Sequence, residues 1–179
     1  NALRVIEALG PDYRIIGLSA HHNVELLAQQ VRRYQPRYVA VTSREHAGLF
    51  QTLVDGDELE ILSGPASLTE LVQCDEVDTV LTAVVGAAGL PSALAAARTG
   101  KRLAIANKEP LVVAGELLTR TAKEHGSTLL PVDSEHSAVF QALQSGSTHE
   151  VHRILLTGSG GPFRGANLSD LESVTPEQA

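Results

Sequence analysis

Short apolar runs alternate with helix-like segments along most of the chain, and this alternation restricts the fold more than any other feature. Apolar runs of strand length occupy residues 13–20, 38–41, 60–62, 78–85, 102–106 and 129–131. Residues 1–9, 24–34, 43–53, 91–98 and 107–124 have helical spacing, and Pro65 is expected in the first turn of another helix. Strands that alternate with helices pair in parallel through right-handed crossovers. The sequence therefore predicts an α/β fold with a doubly wound, mostly parallel sheet.

The regular alternation of strand-like and helix-like segments ends after about residue 143. A polar loop is followed by a predicted strand at residues 151–157, a glycine-rich break at 158–162 and a helix from Leu168, with Asn167 as its cap. A strand and one incomplete helix do not form a folded unit. We therefore predict a first domain at residues 1–132 and the start of a second α/β domain at residues 133–179.

Composition excludes several classes of protein. The formal net charge of −7 argues against a general nucleic-acid binder, although a small phosphorylated substrate needs only local positive groups. No apolar run is long enough for a membrane span, and no signal peptide is visible. Cys74 is the only cysteine in the sequence, which favours a reducing compartment.

The richest cluster of polar groups lies at the end of the apolar run at residues 129–131. Asp133 and Glu135 are two positions apart, and in extended backbone their side chains would point to the same side. Two carboxylates so placed suit a hard divalent cation such as Mg²⁺ or Mn²⁺. The same residues also form an ordinary helix N-terminus, in which Ser134 caps the helix and the acids favour its dipole. Both interpretations stay open.

Two further segments are candidates for binding an anion. Lys108 follows a predicted strand and precedes a helix, where it could bind a phosphate, carbonyl or enolate oxygen, or be an ordinary surface lysine. Ser159 lies in a glycine-rich segment, residues 158–161, that could be a phosphate-binding nest or a flexible turn. His21 and His22 follow another predicted strand and could contact a cofactor.

Three segments form a recognisable set of motifs. They read Ala-Asn-Lys-Glu-Pro-Leu-Val-Val-Ala-Gly from Ala106, Leu-Leu-Pro-Val-Asp-Ser-Glu-His-Ser-Ala-Val-Phe-Gln from Leu129, and Leu-Leu-Thr-Gly-Ser-Gly-Gly-Pro-Phe-Arg from Leu155. Together they resemble the 1-deoxy-D-xylulose 5-phosphate reductoisomerase family. The resemblance covers essentially the whole chain. It implies a Rossmann-like NADPH-binding domain followed by part of a catalytic domain. It also implies metal-dependent isomerisation and NADPH-dependent reduction of 1-deoxy-D-xylulose 5-phosphate to 2-C-methyl-D-erythritol 4-phosphate, in isoprenoid biosynthesis.

The resemblance also assigns roles around the substrate. Asp133 and Glu135 correspond to two of the three carboxylates that bind Mg²⁺ or Mn²⁺ in the family. Lys108, Ser134, Glu135 and Ser159 correspond to residues that hold the sugar phosphate. Lys108 and Glu135 are therefore the expected catalytic residues.

The expected NADPH contacts come from two other segments. Ala20, His22 and Asn23 lie in one loop, and Asn107 and Glu109 flank the lysine of the other. The family often has Gly-Lys-Asn where this chain has His21, His22 and Asn23. Neutral histidines would weaken contact with the 2′-phosphate of the cofactor, so this departure bears on the choice between NADPH and NADH.

The resemblance finally implies which parts and partners to expect. The family has a first strand and a Gly-Ser-Thr-Gly-Ser-Ile-Gly loop before the position of Asn1, and a third metal carboxylate, a catalytic histidine and a helical domain after that of Ala179. We therefore expect this piece to be inactive alone, the whole protein to be a homodimer, and its location to be bacterial cytoplasm or plastid stroma, the former preferred. The alternatives are a metal-independent NAD(P) oxidoreductase or a non-catalytic NADPH-binding or assembly module.

Overall fold

The computed structural model describes residues 1–54, 58–156 and 161–178. It divides into two compact units, Asn1–Leu130 and Pro131–Ala179. Within the described ranges, none of the helices is both long enough and apolar enough to cross a bilayer.

The first unit consists of strands and helices that alternate along the chain, as the sequence pattern predicts. Each strand is only four residues long. The elements in chain order are α1 Ala2–Leu9, β1 Gly17–Ala20, α2 Val24–Tyr34, β2 Tyr38–Val41, α3 Arg44–Leu53, β3 Glu60–Ser63, α4 Ser67–Gln73, β4 Thr79–Thr82, α5 Leu90–Ala97, β5 Arg102–Ile105, α6 Glu109–His125 and β6 Thr128–Pro131, the last reaching the boundary between the units.

The strands form two three-stranded sheets, ordered β1-β2-β3 and β4-β5-β6. The pairs β1–β2, β2–β3 and β4–β5 are parallel, with Gly17 opposite Tyr38 and Thr79 opposite Arg102 at their starts. The predicted parallel α/β fold is therefore confirmed. The described strands form two ladders rather than one continuous sheet, because β1 and β4 hydrogen-bond to a neighbouring strand on one side only.

Each sheet has its own apolar core. Phe50 of α3 and Leu27 of α2 pack with Val39 of β2 in the first core. In the second, Leu103 of β5 packs with Leu118 of α6 and with the alanine-rich helix α5. α5 lies between α4 and α6, and its three consecutive alanines at residues 95–97 are buried. Alanine side chains allow this close approach of helices because they occupy little space.

Several predicted boundaries were wrong. Pro65 precedes α4 rather than lying in its first turn, because the N-cap position is Ala66. The predicted strand at residues 151–157 is absent from its described part, residues 151–156, whose side chains are exposed. A strand needs a hydrogen-bonded neighbour, and an apolar run alone does not supply one.

The second unit contains one longer helix, α7 Ser134–Leu143, and the four-residue helix α8 Leu168–Leu171. Asn167 is the N-cap of α8, as predicted, although its side chain makes no capping hydrogen bond. Single 3₁₀ turns lie at Thr148–Glu150, Gly161–Phe163 and Pro176–Gln178.

We predict that Gly17→Ala lowers the free energy of unfolding by about 1–2 kcal/mol, because overpacking a filled core is costly. A Cβ atom on Gly17 would lie 2.5 Å from Cδ1 of Leu71, a largely buried side chain of α4. Gly48→Ala is the matched control, since Gly48 lies in α3 with open space around its Cβ position. Alanine there should be neutral or stabilise by up to about 1 kcal/mol. Urea unfolding measures the free energy of unfolding of both variants. Equal stability of Gly17→Ala and Gly48→Ala would contradict the packing of β1 on α4.

Candidate functional site

The carboxyl ends of β1 and β2 lie side by side. The backbone N–H of Thr42 donates to the carbonyl of Ala20, the last residue of β1, at 3.2 Å. Asn23 then begins α2, and its side-chain oxygen accepts from the N–H of Leu26 at 3.2 Å. Two of the residues predicted to contact a cofactor, Ala20 and Asn23, thus lie at the edge where ligands of parallel sheets bind. Asn23 also has a structural role as a helix cap.

Three histidines cluster at this edge. The ring centroids of His21 and His22 are 3.9 Å apart, and those of His22 and His46 are 4.9 Å apart. Nδ1 of His21 lies 2.5 Å from Oγ1 of Thr42, and Nδ1 of His46 lies 2.9 Å from Oγ of Ser43. The cluster therefore joins the loop after β1 to the loop after β2 and the first turn of α3.

The environment of His22 disfavours its charged form. Desolvation is the largest cause of its lowered pKa, followed by repulsion from His21 and His46, whereas Glu45 acts in the opposite direction. The sequence indicates His21 and His22 as candidates but not His46. Its position in the first turn of the helix after β2 places His46 at the carboxyl edge of the sheet, but its contact with His22 depends on the pairing of β1 with β2.

A second group of polar contacts joins the loops after β4 and β5. Nδ2 of Asn107 donates to the carbonyl of Val84 at 2.5 Å, and the N–H of Gly86 donates to Oε1 of Glu109 at 3.2 Å. The pKa of the Glu109 carboxyl is lowered, first by its own backbone N–H and then by that of Gly86. Oδ1 of Asn107 is buried and has no hydrogen-bond partner among the described residues. The group thus combines a fixed carboxylate with an acceptor available to a ligand.

Lys108 lies between these two residues, at the N-cap position of α6. Its carbonyl accepts from the N–H groups of Leu111 and Val112, both at 3.0 Å, while its side chain is exposed. A cation at this end of a helix opposes the helix dipole, and a bound anion would offset that cost. Lys108 is therefore suited to contact an anionic or polarised oxygen.

The acidic cluster of the second unit lies at the start of α7. Asp133 occupies the N-cap position, and its carbonyl accepts from the N–H of Ser137 at 2.8 Å. Its Oδ1 lies 3.4 Å from Nδ1 of His136. Glu135 is in the first helical turn, so the expectation that both carboxylates project from extended backbone was wrong. The expected capping by Ser134 was also wrong, because Ser134 is the first helical residue.

These two carboxylates still fit a hard cation in their chemistry. Asp133 is largely buried, with 18% of its side chain exposed, whereas Glu135 is exposed. Mg²⁺ is commonly held by one or two carboxylates, with water and substrate oxygens completing the coordination. Across residues 1–54, 58–156 and 161–178, no three ligand-type side chains form a metal cluster. The assignment of Asp133 and Glu135 as metal ligands stays a prediction.

The predicted residues are distributed over both units. Ala20, His22, Asn23, Asn107, Lys108 and Glu109 belong to the first unit, and Asp133, Ser134 and Glu135 belong to the second. Ser159 and its flanking glycines at residues 158 and 160 lie outside the described residues.

Two family models match the chain. The model described as 1-deoxy-D-xylulose 5-phosphate reductoisomerase matches residues 1–115. The model of the C-terminal domain of 1-deoxy-D-xylulose 5-phosphate reductoisomerase matches residues 129–179.

Relatives and solved structures agree with these matches. The reductoisomerase of Clostridium perfringens (strain 13 / Type A) is 47% identical over 170 residues, which cover 94% of this chain and 44% of the relative. The reductoisomerase of Rhizobium etli (strain CIAT 652) is 44% identical over 181 residues, which cover 100% of this chain and 46% of the relative. The solved Zymomonas mobilis enzyme in complex with NADPH is 39% identical, with a TM-score of 0.84 over 99% of this chain and 47% of that one. A second solved structure, of DOX-P reductoisomerase in complex with NADPH, fosmidomycin and magnesium, is 39% identical. Its TM-score is 0.79, over 98% of this chain and 46% of that one. The chain thus spans less than half the length of these proteins.

Proposed function

Because this chain belongs to the 1-deoxy-D-xylulose 5-phosphate reductoisomerase family, we propose that the full-length protein converts 1-deoxy-D-xylulose 5-phosphate into 2-C-methyl-D-erythritol 4-phosphate, with NADPH as reductant and Mg²⁺ or Mn²⁺ as metal. One observation carries the proposal. Within the two family matches, the chain presents Asn107, Lys108 and Glu109 at the end of β5, and Asp133, Ser134 and Glu135 at the start of α7.

The first unit is proposed to bind the cofactor. NADPH supplies the hydride for the reductive step. The carbonyl of Ala20 and the cap residue Asn23 lie at the carboxyl end of β1 in the first sheet, and Asn107 and Glu109 lie at the carboxyl end of β5 in the second. The buried Oδ1 of Asn107 can accept a hydrogen bond from a polar group of the cofactor, since it has no other partner among the described residues. The solved relative in complex with NADPH supports NADPH as the cofactor.

The second unit is proposed to bind the metal and part of the substrate. A divalent cation supplies Lewis-acid stabilisation of negative charge on substrate oxygens. Asp133 and Glu135 would hold it, because their oxygens are the ligand type that Mg²⁺ and Mn²⁺ prefer. The solved relative in complex with NADPH, fosmidomycin and magnesium supports a metal of this kind.

The remaining proposed substrate contacts are cationic or polar side chains. The ammonium group of Lys108 would bind and polarise a substrate oxygen. Ser134 can donate its hydroxyl hydrogen from the first turn of α7. Ser159 is proposed as a phosphate contact because three glycines at residues 158, 160 and 161 surround it in the sequence, and these allow backbone N–H groups to approach an anion.

The test is the oxidation of NADPH by the full-length protein, followed by its absorbance. We expect turnover that requires both 1-deoxy-D-xylulose 5-phosphate and Mn²⁺ and that yields one 2-C-methyl-D-erythritol 4-phosphate per NADPH consumed. Turnover that is unaffected by a chelator would indicate a metal-independent oxidoreductase instead. Absence of turnover with metal-loaded, folded protein would contradict the proposal.

We predict that Asn107→Ala raises the Kd for NADPH about tenfold, equivalent to about 1.4 kcal/mol, the scale of one buried hydrogen bond. The substitution removes both the buried acceptor and the hydrogen bond to Val84. Fluorescence titration of the full-length protein measures the Kd. Asn167→Ala is the control, because Asn167 is an exposed residue that precedes α8 in the second unit. An unchanged Kd for Asn107→Ala would show that Asn107 makes no contact with the cofactor.

The assembly and location of the full-length protein are also proposals. We propose a homodimer in the bacterial cytoplasm. The use of a single cysteine, Cys74, fits a reducing compartment, and the exposed Val112 and Val113 on α6 provide apolar surface that an oligomer can cover.

A further inference from the structure

The histidine cluster of His21, His22 and His46 lies at the position where doubly wound α/β folds contact the ribose of a dinucleotide cofactor. In such folds, the side chains just after the strand that follows the first helix contact the 2′ position of the adenosine ribose. Here that strand is β1, which follows α1 and ends at Ala20. An acidic residue at this point would favour a 2′-hydroxyl group, and an arginine would favour a 2′-phosphate. This chain has His21 and His22 instead.

The cluster is held together by contacts from both neighbouring loops. His21 is hydrogen-bonded to Thr42, and His46 is hydrogen-bonded to Ser43, which also caps α3. His22 lies between the other two rings, at 3.9 Å and 4.9 Å between centroids. These contacts hold the three imidazole rings next to one another, while His21 and His22 remain exposed to a ligand.

The charges around His22 explain how such a cluster can respond to an anion. His21 from its own loop and His46 from α3 oppose its protonation, and Glu45 from α3 favours it. Two other charged residues lie at the starts of the neighbouring helices. Glu25 is in the first turn of α2, and the side chain of Arg44 in α3 extends towards Gly64, beyond β3. A phosphate dianion beside the rings would offset the repulsion between imidazolium groups. Anion binding and proton uptake are then coupled.

We propose that His21, His22 and His46 form a proton-dependent subsite for the 2′-phosphate of the cofactor, so that the preference for NADPH over NADH declines as the pH rises. The proposal rests on the proposed use of NADPH. It differs from a subsite built on lysine or arginine, whose charge is constant through neutral pH.

The sign of the effect follows from linkage. The pKa of His22 is lowered in the protein without ligand, and a bound phosphate dianion raises the pKa of an adjacent imidazole. Binding therefore takes up a proton. The affinity is greatest below the pKa of the free state and falls as the pH rises towards the pKa of the bound state. Because a phosphate monoester has its second pKa near about 6, it is mostly a dianion above about pH 6.5. A loss of affinity for NADPH above that pH is therefore due to proton loss from the imidazoles rather than to a change in the charge of the phosphate.

The experiment compares the Kd values of NADPH and NADH with the full-length protein from pH 6.5 to 8.5, by fluorescence titration at constant ionic strength. We expect the ratio of the Kd for NADPH to that for NADH to rise roughly tenfold over this range in the wild type. His22→Gln should raise the Kd for NADPH roughly tenfold at pH 6.5 and leave that for NADH unchanged. His22→Lys should retain NADPH binding and remove the pH dependence, while His149→Gln, in the second unit, should match the wild type.

The outcomes separate this inference from the proposed function. A constant ratio of the two Kd values, in protein that turns over with NADPH, overturns the proton-dependent subsite and leaves the proposed function standing. The same holds if His22→Gln binds NADPH normally at pH 6.5. If the folded protein binds neither cofactor, the proposed function fails, and the subsite fails with it.

Discussion

Replacing Glu135 by glutamine is expected to lower kcat of the full-length protein about 10³-fold, equivalent to about 4 kcal/mol of transition-state stabilisation. Glutamine has the size and shape of glutamate but lacks the negative charge that a divalent cation requires of its ligand. Glu135 is exposed in the first turn of α7, so the substitution leaves no buried cavity. The loss should therefore appear in catalysis and metal affinity rather than in folding.

The measurement is kcat at increasing Mn²⁺ concentration, together with thermal unfolding. Glu172→Gln is the matched control, since Glu172 is an exposed carboxylate of the same unit and follows α8. We expect the control to retain wild-type activity. Full activity of Glu135→Gln at low Mn²⁺ would remove Glu135 from the metal site.

Replacing Lys108 by methionine is expected to lower kcat about 10²- to 10³-fold, the effect of removing one preorganised donor from a developing charge. Methionine keeps the length of the apolar stem and removes only the ammonium group. The carbonyl of Lys108 continues to accept the first hydrogen bonds of α6, so the helix should begin at the same residue. The unfavourable helix dipole and the favourable attraction to the Glu109 carboxylate act on Lys108 in opposite directions, so the unfolding temperature should change little.

Steady-state kinetics and thermal unfolding of Lys108→Met test this expectation. Lys123→Met, in the last turn of the same helix, is the control and should retain activity. Lys123 lies where a cation favours the helix dipole, so its replacement should slightly lower stability. If both variants lose activity equally, the ammonium group of Lys108 has no specific role.

The fold class could be predicted because it depends on local patterns. Val39 lies in the apolar run 38–41 and Leu103 in the apolar run 103–106, and both residues are fully buried in parallel strands. The segment at residues 151–156 is also rich in branched apolar residues but forms no strand in the structure. The two cases differ in whether a neighbouring strand lies beside the run, and that long-range property is absent from the local sequence.

The candidate site could be predicted in its residue types but not in its geometry. The Asp-Ser-Glu segment was recognised, but the backbone of Glu135 is helical rather than extended, because Asp133 takes the N-cap position. His46 was missed because it is 24 residues beyond His22, and only the pairing of β1 with β2 brings their rings to 4.9 Å. Contacts across parallel strands depend on the register of the sheet, which the sequence pattern does not specify.

The location of bound manganese is the most direct test, obtained by anomalous scattering from crystals of the full-length protein grown with Mn²⁺. We predict one strong peak within coordination distance of an oxygen of Asp133 and an oxygen of Glu135. A fully occupied Mn²⁺ bound elsewhere, with both carboxylates left in solvent, would contradict the assignment of this cluster as the catalytic metal site.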